Sequence, residues 1–334
     1  VRLIPQNSMF SNFCHVLKMK NLIILSIPLM FSGCYSNIDL DHYKNDKIEN
    51  MVVLNSLMNP DSMITVIATH PYFFSDPHPK PSFESNLDIE LYINGRYEQS
   101  LKFDSLNNFY YSDIFPQPGD SINIMTEFNG IRISAKDEIP KRVTIESFTA
   151  RISGPYPIYW QDDYIIDYEI NFTDPADEDN YYFLEFGEPY GLGGYLHEGE
   201  KVYDKEFVFQ ILASQIDESI PGWEPYSVKG LPFSDNGING KNYTLHLSEI
   251  IQQAGKDYEK YIGLPREAKL YSISKDYYRF MISLIATDPE DDSIHGSLLG
   301  LGMVEPGRIY TNVAGGAGIV GSYIFDIATT NISK

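Results

Sequence analysis

The stretch L-D-I-E-L-Y-I-N-G-R-Y-E-Q-S-L-K-F, Leu87 to Phe103, reads as two strands joined by a tight turn. Leu87, Ile89, Leu91 and Ile93 alternate with Asp88, Glu90 and Tyr92, the two-residue period of a strand with one buried face. Asn94-Gly95 then supplies the two positive-φ positions that a two-residue hairpin turn demands. The same device recurs at Asn129-Gly130, between S-I-N-I-M-T-E-F and I-R-I-S-A-K. Further strand signals lie at Met51 to Leu57 and Ser62 to Thr69, so residues 51–143 are expected to form an immunoglobulin-like β-sandwich.

The second half continues with strands expected at Val143 to Ile152, Tyr164 to Phe172, Tyr181 to Phe186 and Ser322 to Ile327. Two helices are expected. Ser248 would cap one running to about Tyr261, weakened by Gly255. Ser274 would cap the other, K-D-Y-Y-R-F-M-I-S-L-I-A, which places Tyr277, Tyr278, Met281, Ile282 and Ile285 on one face. With 25 Tyr, 19 Phe, 20 Pro and 24 Gly, composition leans to strands and turns. The fold class is therefore mostly β: the sandwich, followed over residues 144–334 by a second β-rich domain with one or two short helices.

The start of the chain is read separately. From Lys18 to Cys34 the sequence K-M-K-N-L-I-I-L-S-I-P-L-M-F-S-G-C has a basic end, an apolar run and small residues before a cysteine, the order of a secretory leader. The run is too short to span a bilayer. Residues 19–33 are read as a lipoprotein signal peptide, Cys34 as the lipidated residue and 34–50 as a polar tether. Asp39 and Asp41 in that tether also fit an acidic surface-export signal. Residues 1–18 lack periodicity and read as translated upstream sequence. With Cys14 set aside, Cys34 is the sole cysteine, and no disulfide framework is available.

Arg2, Lys18 and Lys20 precede Cys34 while no acidic residue does, so the chain's charge of −21 deepens to about −24 after cleavage. That balance excludes nucleic acid as a partner and adhesion to anionic lipid by charge.

Catalytic and metal motifs are sought next. No G-x-S-x-G elbow occurs, and His42, His70, His78, His197, His246 and His295 are scattered singly, without zinc spacing. The glycines of G-L-G-G-Y, Gly191 to Tyr195, lack the Lys-Ser or Lys-Thr of a phosphate cradle and read as a loop. Two acidic segments offer clustered oxygens of the kind calcium uses: Asp174, Asp177 and Asp179 in D-P-A-D-E-D-N, and Asp288, Asp291 and Asp292 in D-P-E-D-D-S. Neither has EF-hand spacing, and an Asp-Pro turn between strands is the plainer reading. Trp160, Trp223 and the tyrosines of Y-G-L-G-G-Y would suit an aromatic platform for sugar or peptide, against the commoner cross-strand packing. No catalytic, cofactor or metal residue is assigned, and the chain reads as no enzyme.

P-Q-P-G-D-S-I-N-I, Pro116 to Ile124, resembles the turn before a late strand in carboxypeptidase-regulatory and other immunoglobulin-like modules. Several segments together resemble one family: M-V-V-L-N-S-L-M-N-P-D-S, P-G-D-S-I-N-I, A-K-D-E-I-P, N-F-T-D-P-A-D-E-D-N-Y-Y-F, F-S-D-N-G-I-N-G-K, S-I-S-K-D-Y-Y-R-F and E-P-G-R-I-Y-T-N-V-A-G-G-A-G-I-V-G-S-Y. These are similar to the Bacteroidota lipoproteins grouped as domain-of-unknown-function family 4249. In the last segment, Glu305 to Tyr323, Val320 stands where the family usually has an aromatic, and Gly315, Gly316, Gly318 and Gly321 let the backbone turn before Tyr323 enters a sheet. The resemblance implies an outer-membrane lipoprotein, at the cell surface or on the periplasmic face, that serves as an accessory or ligand-binding partner of a TonB-dependent transporter barrel. A structural or adhesive envelope lipoprotein is the alternative, and a glycan- or peptide-acting enzyme a third reading.

Overall fold

The computed structural model describes residues 51–72, 82–187, 195–197, 200–202, 213–216, 231–251, 254–287 and 308–334. The leader, Cys34, the tether, Gly191 to Gly194, Trp223 and the acidic segment with Asp288, Asp291 and Asp292 lie outside the described residues.

The first nine strands are β1 (Val53–Met58), β2 (Thr65–His70), β3 (Ser82–Phe83), β4 (Glu90–Ile93), β5 (Arg96–Ser100), β6 (Lys102–Asp104), β7 (Phe109–Tyr111), β8 (Ser121–Phe128) and β9 (Ile131–Glu138). There follow β10 (Ile145–Tyr156), β11 (Asp163–Thr173), β12 (Tyr181–Gly187), β13 (Tyr195–His197), β14 (Glu200–Val202), β15 (Ala213–Ile216), β16 (Leu231–Ser234), β17 (Asn242–Ile251), β18 (Pro265–Ile273) and β19 (Ala317–Asn331). One α-helix, α1 (Lys275–Ile285), and a 3-10 helix over Gly255–Tyr261 complete the described elements. The protein is mostly β, in sandwich-like layers, as the strand periodicity requires.

A nine-stranded sheet in the order β16-β12-β18-β19-β1-β2-β7-β6, with β3 added to β2, is the common floor of two sandwiches. Over one half lies the sheet β5-β4-β8-β9, and over the other β10-β11-β17-β15. Each half encloses its own core. The first holds Leu54, Ile64 and Val66 of the floor against Leu91, Ile122 and Ile124. The second holds Tyr182, Leu184 and Leu270 against Ile166, Tyr168 and Phe172. Along the chain the first core reaches Ile139 and the second begins at Val143, while Val313 and Val320 return late to the first. In β11 the cause is visible residue by residue: Tyr164, Ile166, Tyr168, Ile170 and Phe172 face inward, and Asp167, Glu169 and Asn171 take the other face.

Both Asn-Gly turns form as the sequence dictates, with φ of 53° and 79° at Asn94 and Gly95 and 50° and 77° at Asn129 and Gly130. Ser274 caps α1, its Oγ accepting the Tyr277 N–H at 3.3 Å. The helix expected from Ser248 does not form. Ser248 sits inside β17, paired with Asp167 of β11 and Gln215 of β15, because the alternation of L-H-L-S-E-I-I continues a strand between two waiting partners. Only the short 3-10 turn from Gly255 remains. No helix among the described residues is long and apolar enough to cross a membrane.

β19 changes neighbours along its length. Ala317 to Ser322 run parallel to Val53 to Met58 of β1, and Tyr323 to Asn331 run antiparallel to β18. The glycines ahead of Tyr323 do more than turn the chain. A Cβ on Gly318 (φ +105°) would lie 2.1 Å from the Leu54 carbonyl oxygen, one on Gly315 (φ +78°) 2.2 Å from that of Arg132, and one on Gly321 2.8 Å from the Tyr277 Cβ. Side chains are absent where β19 and the turn before it press on β1, β9 and α1.

Gly119 provides the control for this reading, since its φ is +87° but nothing lies within 4 Å of an added Cβ. Gly119→Ala is expected to cost about 1–2 kcal/mol, the penalty of left-handed backbone alone. Gly318→Ala adds a backbone collision and should cost at least about 3 kcal/mol, read from urea unfolding midpoints. Equal losses at the two positions would refute close packing at Gly318.

Candidate functional site

Where β9, β18, α1 and the turn before β12 converge, the surface opens into a cleft of about 450 Å³. Its walls are the end of β9 from Lys136 to Lys141, the turn Glu178 to Tyr181, and the β18–α1 corner from Ser272 to Asp276. Segments far apart in sequence meet there.

Asp137 lies in the wall of this cleft and is only 7% exposed. Strand alternation puts it on the face that carries Ile133, Ala135 and Ile139, so a carboxyl occupies a core position. Ser322 Oγ lies 2.6 Å from Asp137 Oδ2 and 2.8 Å from the Glu138 carbonyl oxygen. The Ser274 side chain also bonds the carboxyl. Ser274 Oγ in turn accepts the Ser322 N–H at 3.2 Å, and the Ser274 N–H donates to the Ser322 carbonyl at 2.9 Å. One carboxyl thus ties β9, β19 and the cap of α1 together. Burial raises its pKa to about 7, a rise reinforced by the charge of Asp276 and opposed by the two serine hydroxyls.

The mouth of the cleft is charged and already paired. Lys141 meets Glu178 at 2.8 Å, and Lys275 meets Asp179 at 3.5 Å with its Nζ 5.9 Å from the Tyr181 ring centroid. Beside it, Asp276 accepts the Tyr310 hydroxyl at 2.6 Å and the Asn312 amide at 3.3 Å. Asn312 also takes the Val320 N–H at 3.0 Å and gives its own amide to the Val320 carbonyl at 2.8 Å, standing in for a strand partner. Val320 itself is fully buried in the first core. The segment R-I-Y-T-N therefore buttresses β19 and α1.

In the first acidic segment, where an Asp-Pro turn is the plainer reading, the three carboxylates do not converge on one point. Asp174 is 1% exposed, and its two oxygens accept the Tyr182 hydroxyl at 2.5 Å and the Gly240 N–H at 2.9 Å. Asp177 occupies a left-handed position at φ 67°, and Asp179 is exposed beside Lys275. Among the described residues no group of three or more His, Cys, Asp or Glu side chains could hold a metal ion. The Asp-Pro turn is instead stitched to the F-S-D-N-G-I-N-G-K segment. Asp235 Oδ2 accepts the Asn180 N–H and the Asn239 amide, each at 3.0 Å.

Two histidines with described side chains have carboxylate neighbours. His70 bonds Glu84 at 3.1 Å, and His246 lies 4.0 Å from Glu169 on an exposed strand. Trp160 is 52% exposed and stands apart from the cleft, whereas Tyr110, Tyr168 and Tyr182 are packed in the cores. Sequence reading passed over Asp137, Asp163 and Arg266. Each is a charged residue at a buried strand position; Asp137 and Arg266 share the phase of their strands' apolar residues, which was the available signal, whereas Asp163 is out of phase with Tyr164 and Ile166.

Asp137 makes stability depend on pH. Its folded-state pKa lies above the ordinary 3.8, so the folded chain holds the proton more tightly than the unfolded chain does. The contribution is full below pH 3.8 and is lost as pH rises to about 7. Asp137→Asn cannot ionise and still accepts from Ser322. Relative to the parent it should gain stability, on the order of a few kcal/mol by pH 8, in parallel urea titrations. A pH-independent difference between the two chains would remove Asp137 as the source.

No curated protein matches the sequence. Among solved structures, a chain titled "Biofilm associated protein - B domain" aligns over 84% of this chain and 87% of its own, at 7% identity and a TM-score of 0.18. The model of a family described as "Domain of unknown function (DUF4249)" matches residues 37–326, a span that takes in the cleft, the first core and the second core up to Leu270, and the chain belongs to that family.

Proposed function

We propose that the protein is an envelope lipoprotein, held at the outer membrane through Cys34, whose folded body is a non-enzymatic binding module and an accessory partner of a TonB-dependent transporter barrel. The observation that carries the binding role is the cleft between β9, the Glu178–Tyr181 turn and the β18–α1 corner. Its walls are braced from behind by Asp137, Ser274 and Ser322 and by Asn312, so the opening is held in shape without a ligand. A preformed opening rimmed by paired lysines and carboxylates suits a polar ligand that exchanges partners with those ion pairs. The sequence around Cys34 supports the anchor.

Two measurements separate the parts of the proposal. Cys34→Ala is expected to move the protein from the membrane to the soluble fraction with its urea midpoint unchanged. Retention in the washed membrane fraction would defeat the anchor. Affinity purification of the lipidated protein in mild detergent is expected to recover a TonB-dependent barrel by mass spectrometry. Its absence, with the anchor intact, would defeat the partnership alone.

A further inference from the structure

The hairpin between β10 and β11 ends in P-Y-P-I-Y-W-Q, Pro155 to Gln161, closed by the pairing of Tyr156 with Asp163. Every residue from Gly154 to Gln161 is exposed. Tyr156, Ile158, Tyr159 and Trp160 are the densest run of exposed large apolar side chains among the described residues, with Tyr159 at 64%. The run is held rather than loose. Asp163, fully buried, accepts the N–H groups of Tyr159 and Trp160 at 2.7 and 2.9 Å, which fixes the loop with its rings outward. Presenting them costs a buried carboxylate, which a merely tolerated surface loop does not need.

The surroundings suit one class of partner. The 3-10 helix packs on the base of the loop, where the Gly255 N–H reaches the Asp162 carbonyl at 3.3 Å and Tyr258 stacks on Tyr164 at 4.3 Å. It brings Lys256 and Lys260, and Lys334 lies over the Tyr258 ring at 5.5 Å. These three lysines stand against Asp162, Asp163, Asp257 and Glu259 nearby, so this end carries only about one net negative charge on a chain of charge −21. A convex apex of tyrosine and tryptophan with lysines behind it matches a bilayer interface, where amphipathic rings sit at headgroup depth and lysine stems reach the phosphates. We propose that the Tyr156–Trp160 tip inserts into the interfacial layer of a phospholipid bilayer.

This rests on the lipoprotein reading for its geometry. The parallel segment of β19 that holds β1 is at its start, while the tip lies beside its end, where Ser333 bonds Ile152. The 15 residues of β19 separate the two by roughly 45 Å. A tether of 17 residues from Cys34 to Asn50 reaches up to about 55 Å when extended, enough to let a lipid-held body bring the tip to the same bilayer. Alone, a few partly buried rings hold too weakly to survive washing, so release of the Cys34→Ala variant is still expected.

The test uses the full lipidated protein with Trp223→Phe, which leaves Trp160 as the one tryptophan, reconstituted in phosphatidylcholine vesicles. Trp160 emission should shift to the blue and be quenched by lipid brominated near the headgroup, with little effect of salt. Solvent-like, unquenched emission from vesicle-bound protein would overturn the proposal and turn the tip toward a protein partner. If Trp223→Phe does not fold, the parent and Trp160→Ser are compared, and the quenched component must vanish in the latter. Should Cys34 carry no lipid, an N-terminal histidine tag on a nickel-chelating lipid supplies the tether, so the tip and the anchor fail separately.

Discussion

The parallel pairing of β1 with the first six residues of β19 is the constraint on which the remaining architecture depends. It joins the halves of the nine-stranded floor, since β19 hands over to β18 at Tyr323. Without that join, two sandwiches would each expose an unpaired strand edge. The contact is made at backbone distance, and Gly316, against the Val52 carbonyl, and Gly318, against that of Leu54, are the residues that permit it. Around it lie Asn312, Ser322, Ser274 and Asp137, each satisfying backbone or hydroxyl groups that the handover would otherwise leave buried and unmet.

Local features were legible in the sequence. Asn94-Gly95 and Asn129-Gly130 formed the turns their residue types demand, and β8 and β9 fall where alternation put them. Ser274 announced its helix through an oxygen placed to cap it. The failure at Ser248 is equally informative. A serine before an apolar stretch signals a helix only if no sheet competes, and β11 and β15 lay on either side. Propensity is local and pairing is not.

The cleft was hidden for the same reason. Its walls come from A-K-D-E-I-P, D-P-A-D-E-D-N and S-I-S-K-D, and nothing in their spacing tells that they meet. Each was visible as a distinctive segment and opaque as to purpose. The acidic turn shows how chemistry misleads without contacts: three aspartates within six residues suggest a cation, yet Asp174 spends both oxygens on Tyr182 and Gly240. A charged residue in a buried register, as at Asp137 and Arg266, proved a better pointer than a cluster of charges.

The handover in β19 also governs when the molecule can fold. β1 emerges early, but the residues it must lie beside are 264 positions later, and no local partner can replace them in the floor. Loop closure on that scale is slow, and until it happens the first core lacks Val313 and Val320. A chain built this way stays open until its last strand is available. During synthesis, that delay leaves the edge of β1 without its neighbour until β19 has been made.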